Sequence, residues 1–233
     1  MTGREGPPYR VRRIAAHKSR YHIGCDGWSP PDMSVSKITM RSSRLRYGAV
    51  TQLFHWVTVA LVGTAYIVSP GGSEERIYSA AFDSARQTHE TVGILLFGLV
   101  LVRILWRLLE PTPELPPMAA WMKLSASAAH LALYALLLAI PLTAIAGAWL
   151  ENHPLTIFGI GTIGPMVSSV PGLGQSVAYI HTILGNVIIW LACFHAAAAL
   201  FHHYFLRDNI LTSMLPDWIR LPALRPSPDE VSR

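Results

Sequence analysis

Four long apolar runs, separated by short polar or Gly/Pro-rich links, dominate the chain. The first spans 47–68, carries no Lys, Arg, Asp or Glu, and stops at Ser69-Pro70-Gly71-Gly72. At about 1.5 Å per residue it reaches roughly 33 Å, enough to cross a bilayer as a helix. The second covers 86–109 and breaks at Glu110-Pro111-Thr112-Pro113. Its apolar centre, Thr91 to Val102, is short for a span. Arg103 and Arg107 lengthen it if their charged heads snorkel to one membrane surface. The third covers 124–150, with Pro141 read as a kink inside a continuous helix. The fourth covers 176–206. The pattern predicts an all-α, transmembrane four-helix bundle over 41–216, with the Gly/Pro-rich 151–175 as an external loop covering part of it.

Composition agrees: of 233 residues, 51% are hydrophobic and only 14% charged, too few charges for a soluble surface. The charge is unevenly placed. Ten of the 19 Lys and Arg lie in the first 46 residues beside three acids, and the link after helix 2 carries Arg103, Arg107 and Lys123. Residues 69–86 hold Arg76 and Arg86 against Glu74, Glu75 and Asp83, and 151–175 holds Glu151 and no base. The positive-inside rule then puts both termini and the link between helices 2 and 3 of this multi-pass protein in the cytoplasm. The pI of about 9.5 has this topological origin and does not call for nucleic acid. Residues 1–40 have no apolar h-region of a signal peptide. They read as a disordered tail or, given Met33 and Met40, as a gene-model extension; 217–233 reads as a cytoplasmic tail. Cys25 and Cys193 form no disulfide scaffold or Cys-rich metal site.

Ten histidines occur, and seven lie in or against the spans, where an ionisable side chain calls for a partner or a function. His55 sits about 12 Å from the cytoplasmic end of helix 1, and His195 about 16 Å from that end of helix 4. His89 and His181 lie near the opposite surface. Depth therefore pairs His55 with His195 and His89 with His181. His181 and His195, fourteen residues apart, share one helix face at heights differing by about 21 Å. Such a face suits two haems stacked across the membrane, each bis-imidazole and closed to direct ligand chemistry. Gly93 and Gly185, each four residues after an outer histidine, leave room beside it, and Gly48 suggests similar relief near His55. A proton or metal transporter would also use buried imidazoles, but Glu90 is the one carboxylate within a span and lies at its rim.

The chain resembles the bacterial cytochrome b561 family. The matching runs are Gln52-Leu53-Phe54-His55-Trp56, His89-Glu90 with Gly93 and Val102-Arg103, Ala129-His130-Leu131 with Ile140-Pro141, and His181 with Gly185. His195 through Leu200, His202-His203-Tyr204-Phe205, Asp208-Asn209 and Met214-Leu215-Pro216 complete them. The resemblance covers about 44–216. It implies a di-haem b, iron-binding electron-transport protein with His55 and His195 as ligands of the cytoplasmic-side haem, and His89 and His181 of the periplasmic-side haem. No catalytic residue is implied beyond the haem edges. His202 is the candidate quinone contact, while Arg103 and His130 stand between a haem-propionate contact and a structural role. The implied oxidoreductase activity takes electrons from superoxide outside and reduces ubiquinone. The alternative is an electron-transfer cytochrome of a respiratory chain, coupling a periplasmic redox protein, dehydrogenase or hydrogenase to the quinone pool. Membrane lipid surrounds the protein in either case, and a homodimer is left open. Two features sit poorly with superoxide: the acidic outer segments, and Thr182 where many relatives carry an acid.

Overall fold

The computed structural model describes residues 40–42, 46–71, 74–111, 113, 118–216 and 219. They fall in one unit, 38–233; the expectations for 1–39 and for nearly all of the C-terminal tail lie outside them. Four long helices are present: α1 (Ala49–Ile67), α3 (Asp83–Leu109), α4 (Ala120–Leu150) and α5 (Pro171–Phe201). All four are long and apolar enough to span a membrane. Between α1 and α3 lies a single turn, α2 (Glu74–Ile77). A hairpin of β1 (Leu155–Ile157) and β2 (Gly161–Ile163) follows α4. Beyond α5 the helix continues as a π turn, His202–Leu206, then a short α6 (Ile210–Met214).

Three helices begin earlier than hydropathy indicates: α3 at Asp83, α4 at Ala120 and α5 at Pro171. Hydropathy reports the lipid-immersed part, whereas a helix continues into the polar boundary until a turn stops it. Pro171 at the first position of α5 costs no hydrogen bond there. Pro141 is buried within an unbroken α4. Apolar surroundings also explain the threonines: Thr58, Thr64 and Thr143 turn their hydroxyls onto carbonyls four residues back, satisfying groups that lipid cannot.

The main helix pairs are α1 with α3 and α4 with α5, with α3 joining the two hairpins through α4. At the α4–α5 crossing, a Cβ on Gly147 would stand 3.2 Å from the Ala178 nitrogen, so the glycine lets the backbones close up. The buried apolar cluster is Leu96, Val100, Leu137 and Ile188, flanked by Leu61, Ile104 and Ile189. Ile188 lies seven residues from both His181 and His195, and Leu96 seven from both His89 and Arg103. The core is thus a septum at mid-height, about 10 Å along the helices from each polar level.

Both ends are fastened by polar contacts. At the base-rich end α6 tucks under α1: Gln52 donates to the Tyr47 and Ser213 carbonyls (3.0 and 3.2 Å), and Trp56 Nε1 to Met214 (2.9 Å). Arg46 reaches the Leu215 carbonyl, and the buried Glu110 carboxylate accepts from the Ser42 amide at 3.2 Å and pairs with Arg41 at 3.4 Å. At the other end, part of the segment expected to be loop is the β hairpin. It is strapped to α3, with the Thr156 amide donating to Glu90 Oε2 (2.7 Å) and the Phe158 amide to Thr91 Oγ1 (2.8 Å).

Candidate functional site: histidine pairs at two levels

At the hairpin end, His89 from α3 and His181 from α5 turn toward each other, ring centroids 6.0 Å apart and planes nearly perpendicular at 88°. They line a cavity of about 450 Å³ together with Gly93, Gly185, Glu90 and Leu155. Nothing lies within 4 Å of a Cβ built on Gly93 or Gly185, so the room expected beside each histidine is present. The hairpin closes one side of the cavity through Leu155.

The ring nitrogens carry more information than the spacing. His89 Nδ1 lies 2.8 Å from the Ala65 carbonyl and His181 Nδ1 lies 2.9 Å from the Ile140 carbonyl. A carbonyl only accepts, so each Nδ1 holds the proton and each Nε2 offers a lone pair. This is how metal-binding imidazoles are oriented, with the outer nitrogen tied to a backbone acceptor. Two metal–nitrogen bonds of about 2 Å each would span most of the gap between these rings. Among the described residues, no group of three or more His, Cys, Asp and Glu converges as a bare metal site requires. The pair therefore suits an iron whose other ligands come from a macrocycle, and the residues present fit a haem.

The base-rich end is arranged differently. His55, His130 and His195 lie within electrostatic reach of one another, with Arg103 and Arg107 beside them. The ring contact of His195 is with His130, at 5.3 Å and 66°, while His55 packs edge-on against Trp56 at 5.3 Å. Arg103 Nη2 stands 3.4 Å from His55 Nδ1, and its guanidinium lies over Tyr134 at 5.5 Å. Gly48 does not relieve this level: a Cβ there would overlap the carbonyl groups of Met40 and Arg41, so its role is to let the entering chain cross α1.

His202 opens the π turn with Nδ1 2.5 Å from Asp208 Oδ2, and Asp208 Oδ1 also accepts from the Ile210 amide. Its neighbour His203 is the more buried, 1% exposed, with Nδ1 lacking a hydrogen-bond partner. At the outer rim Arg86 pairs with Asp83 and with Glu90 (2.8 Å) and stands over the Tyr78 ring at 5.0 Å, while its buried Nε has no hydrogen-bond partner. Tyr78 stacks on His153 at 3.6 Å. The latch residues Glu90 and Thr91 and the carbonyls of Ala65 and Ile140 were not legible as site components. The adjacency of Glu90 and Thr91 to His89 was the available signal, but their hairpin partner lies 65 or more residues away.

Residues 46–217 match the family described as Prokaryotic cytochrome b561. The chain is 29% identical to Cytochrome b561 homolog 2 of Escherichia coli (strain K12), over 73% of this chain and 91% of that protein. Identity to Cytochrome b561 homolog 1 of the same organism is 31%, over 71% and 95%. To the Probable superoxide oxidase CybB of Yersinia pestis it is 30%, over 73% and 96%. With four spanning helices and a match running from the start of α1 past α6, the chain belongs to the prokaryotic cytochrome b561 family, di-haem b electron-transport proteins of the bacterial inner membrane.

Proposed function

We propose that the chain holds two haem b groups, one between His89 and His181 and one at the level of His55 and His195, and carries electrons between an external donor and ubiquinone. The observation that carries this reading is the outer histidine pair, with both Nδ1 atoms tied to carbonyls across a cavity that two glycines keep open. A haem held there by His89 and His181 would supply one-electron redox chemistry. The chain's own residues orient the imidazoles, exclude water through the apolar septum and, through Arg103 and Arg107, supply positive charge that suits propionates. The excess of base at this end supports a cytoplasmic position for it.

In the preferred reading two superoxide ions each lose one electron and leave as dioxygen. One ubiquinone takes up those two electrons and two protons, becoming ubiquinol. The likeness to a protein named as a superoxide oxidase supports this donor. A second reading, a periplasmic redox protein or dehydrogenase as donor, is favoured by the state of Arg86. Its charge is matched by two carboxylates, so it adds little to the positive field that would steer an anion. Stopped-flow mixing of the oxidised, quinone-free protein with superoxide separates the two. Reduction of the haem α-band near the diffusional limit supports superoxide; slow reduction of a protein carrying two haems selects the protein donor.

A further inference from the structure

The cavity between His89 and His181 has two closures of unequal strength. At the hairpin end Leu155 stands on its wall, and the hairpin is held by the Glu90 carboxylate at 2.7 Å and by Thr91 at 2.8 Å. A hydrogen bond to a charged acceptor is roughly twice as strong as one between neutral groups. The closure on the lipid side is weaker. Helices α1 and α5 are not among the helix pairs that pack together, yet both line the cavity. Val62, Ala65 and Tyr66 do so from α1, and Thr182, Gly185 and Asn186 from α5. Each set falls at i, i+3 and i+4, so each helix turns one stripe toward the space between them. Gly185 puts no side chain into that space, and a Cβ built there meets nothing within 4 Å.

Among the described residues one hydrogen bond joins α1 to α5: the Tyr66 hydroxyl donates to Asn186 Oδ1 at 3.2 Å. Both partners are neutral and exposed, Tyr66 at 48%. Tyr66 follows Ala65, whose carbonyl holds His89 Nδ1, and Asn186 lies five residues beyond His181. The bond thus ties the turn of α1 that orients His89 to the helix that carries His181. We propose that the gap between α1 and α5 is the entrance of the outer cavity, fastened by the Tyr66–Asn186 bond, and that it admits a flat, largely apolar ligand sideways from the lipid. That this ligand is haem rests on the reading of the cavity given above.

The test uses the full-length haem-loaded protein in detergent, mixed with excess apomyoglobin as haem acceptor and followed by absorbance. His181→Ala identifies the outer phase of transfer. If that variant carries as many haems as the wild type, the cavity is not the haem site and the underlying reading fails, whatever the rates. Given an outer phase, Tyr66→Phe removes one hydroxyl and is expected to speed that phase about two- to tenfold, the worth of one neutral hydrogen bond. The inner phase and the haem spectra should not change. Asn186→Leu should have the same effect, and Tyr66→Phe/Asn186→Leu no more than either alone, because both remove one bond. Tyr66→Phe decides by itself if Asn186→Leu does not fold. An unchanged outer rate in Tyr66→Phe, or effects that multiply in the double variant, overturns the proposal. So does a faster outer phase in Thr91→Val without one in Tyr66→Phe, which would put the entrance at the hairpin.

Discussion

His181 shows how much of an imidazole's readiness to hold a metal is decided by the ring nitrogen that faces away from the cavity. Its Nδ1 bond to the Ile140 carbonyl fixes the tautomer and the ring orientation together. His181→Ala is therefore expected to lower the haem count from two to one per chain by pyridine haemochrome, with the inner spectrum retained; two haems with unchanged spectra would refute the outer pairing. His202→Ala should leave both haems in place and slow quinone reduction, by about 100-fold or more if His202 passes a proton to the quinone. Loss of a haem there would make His202 a ligand instead. The outer histidines were legible because depth follows from counting residues along a helix. Their carbonyl partners were not, since Ala65 and Ile140 contribute only backbone and leave no mark in residue type. Likewise the contact between His130 and His195 depends on how α4 and α5 rotate about their axes, which apolar periodicity specifies weakly when every face meets lipid or protein.

Among the elements, the β hairpin differs most from expectation. Its strands are three residues each, too short to stand out within a Gly/Pro-rich segment, and a bare hairpin of that size has little stability in water. Glu90 and Thr91 supply what the strands lack. Glu90→Ala removes a charge-assisted bond of about 1.5–3 kcal/mol and leaves Arg86 with one carboxylate fewer. Faster hydrogen exchange at the Thr156 and Phe158 amides, with the helices still protected, is the expected result. Gly185→Leu addresses the same region from the other side. Its side chain enters the cavity between the outer histidines, so the outer haem should be lost while His89 and His181 remain and helical circular dichroism is unchanged. Retention of both haems in that variant would mean that the cavity is not the haem site.

For the whole molecule, the four-helix plan and the two polar levels followed from hydropathy and histidine spacing. The septum did not, because its members Leu96, Val100, Leu137 and Ile188 look like any other apolar residues in their spans. They are set apart by facing one another. The septum has an electrical consequence. Its side chains carry no group that can pass a proton, whereas an electron can tunnel between the levels it separates. With a haem held at each level, as proposed, charge would move between them without a compensating ion, and each turnover would work with or against the membrane potential, about 2.3 kcal/mol per charge for a full crossing at 100 mV. In sealed, oriented proteoliposomes containing quinone, donor oxidation should generate a potential that a voltage-sensitive dye reports and an ionophore abolishes. Turnover with no such signal would mean that protons follow the electron through the bundle. On this account the protein is electrogenic: Val100 and its neighbours are the insulation of a membrane capacitor.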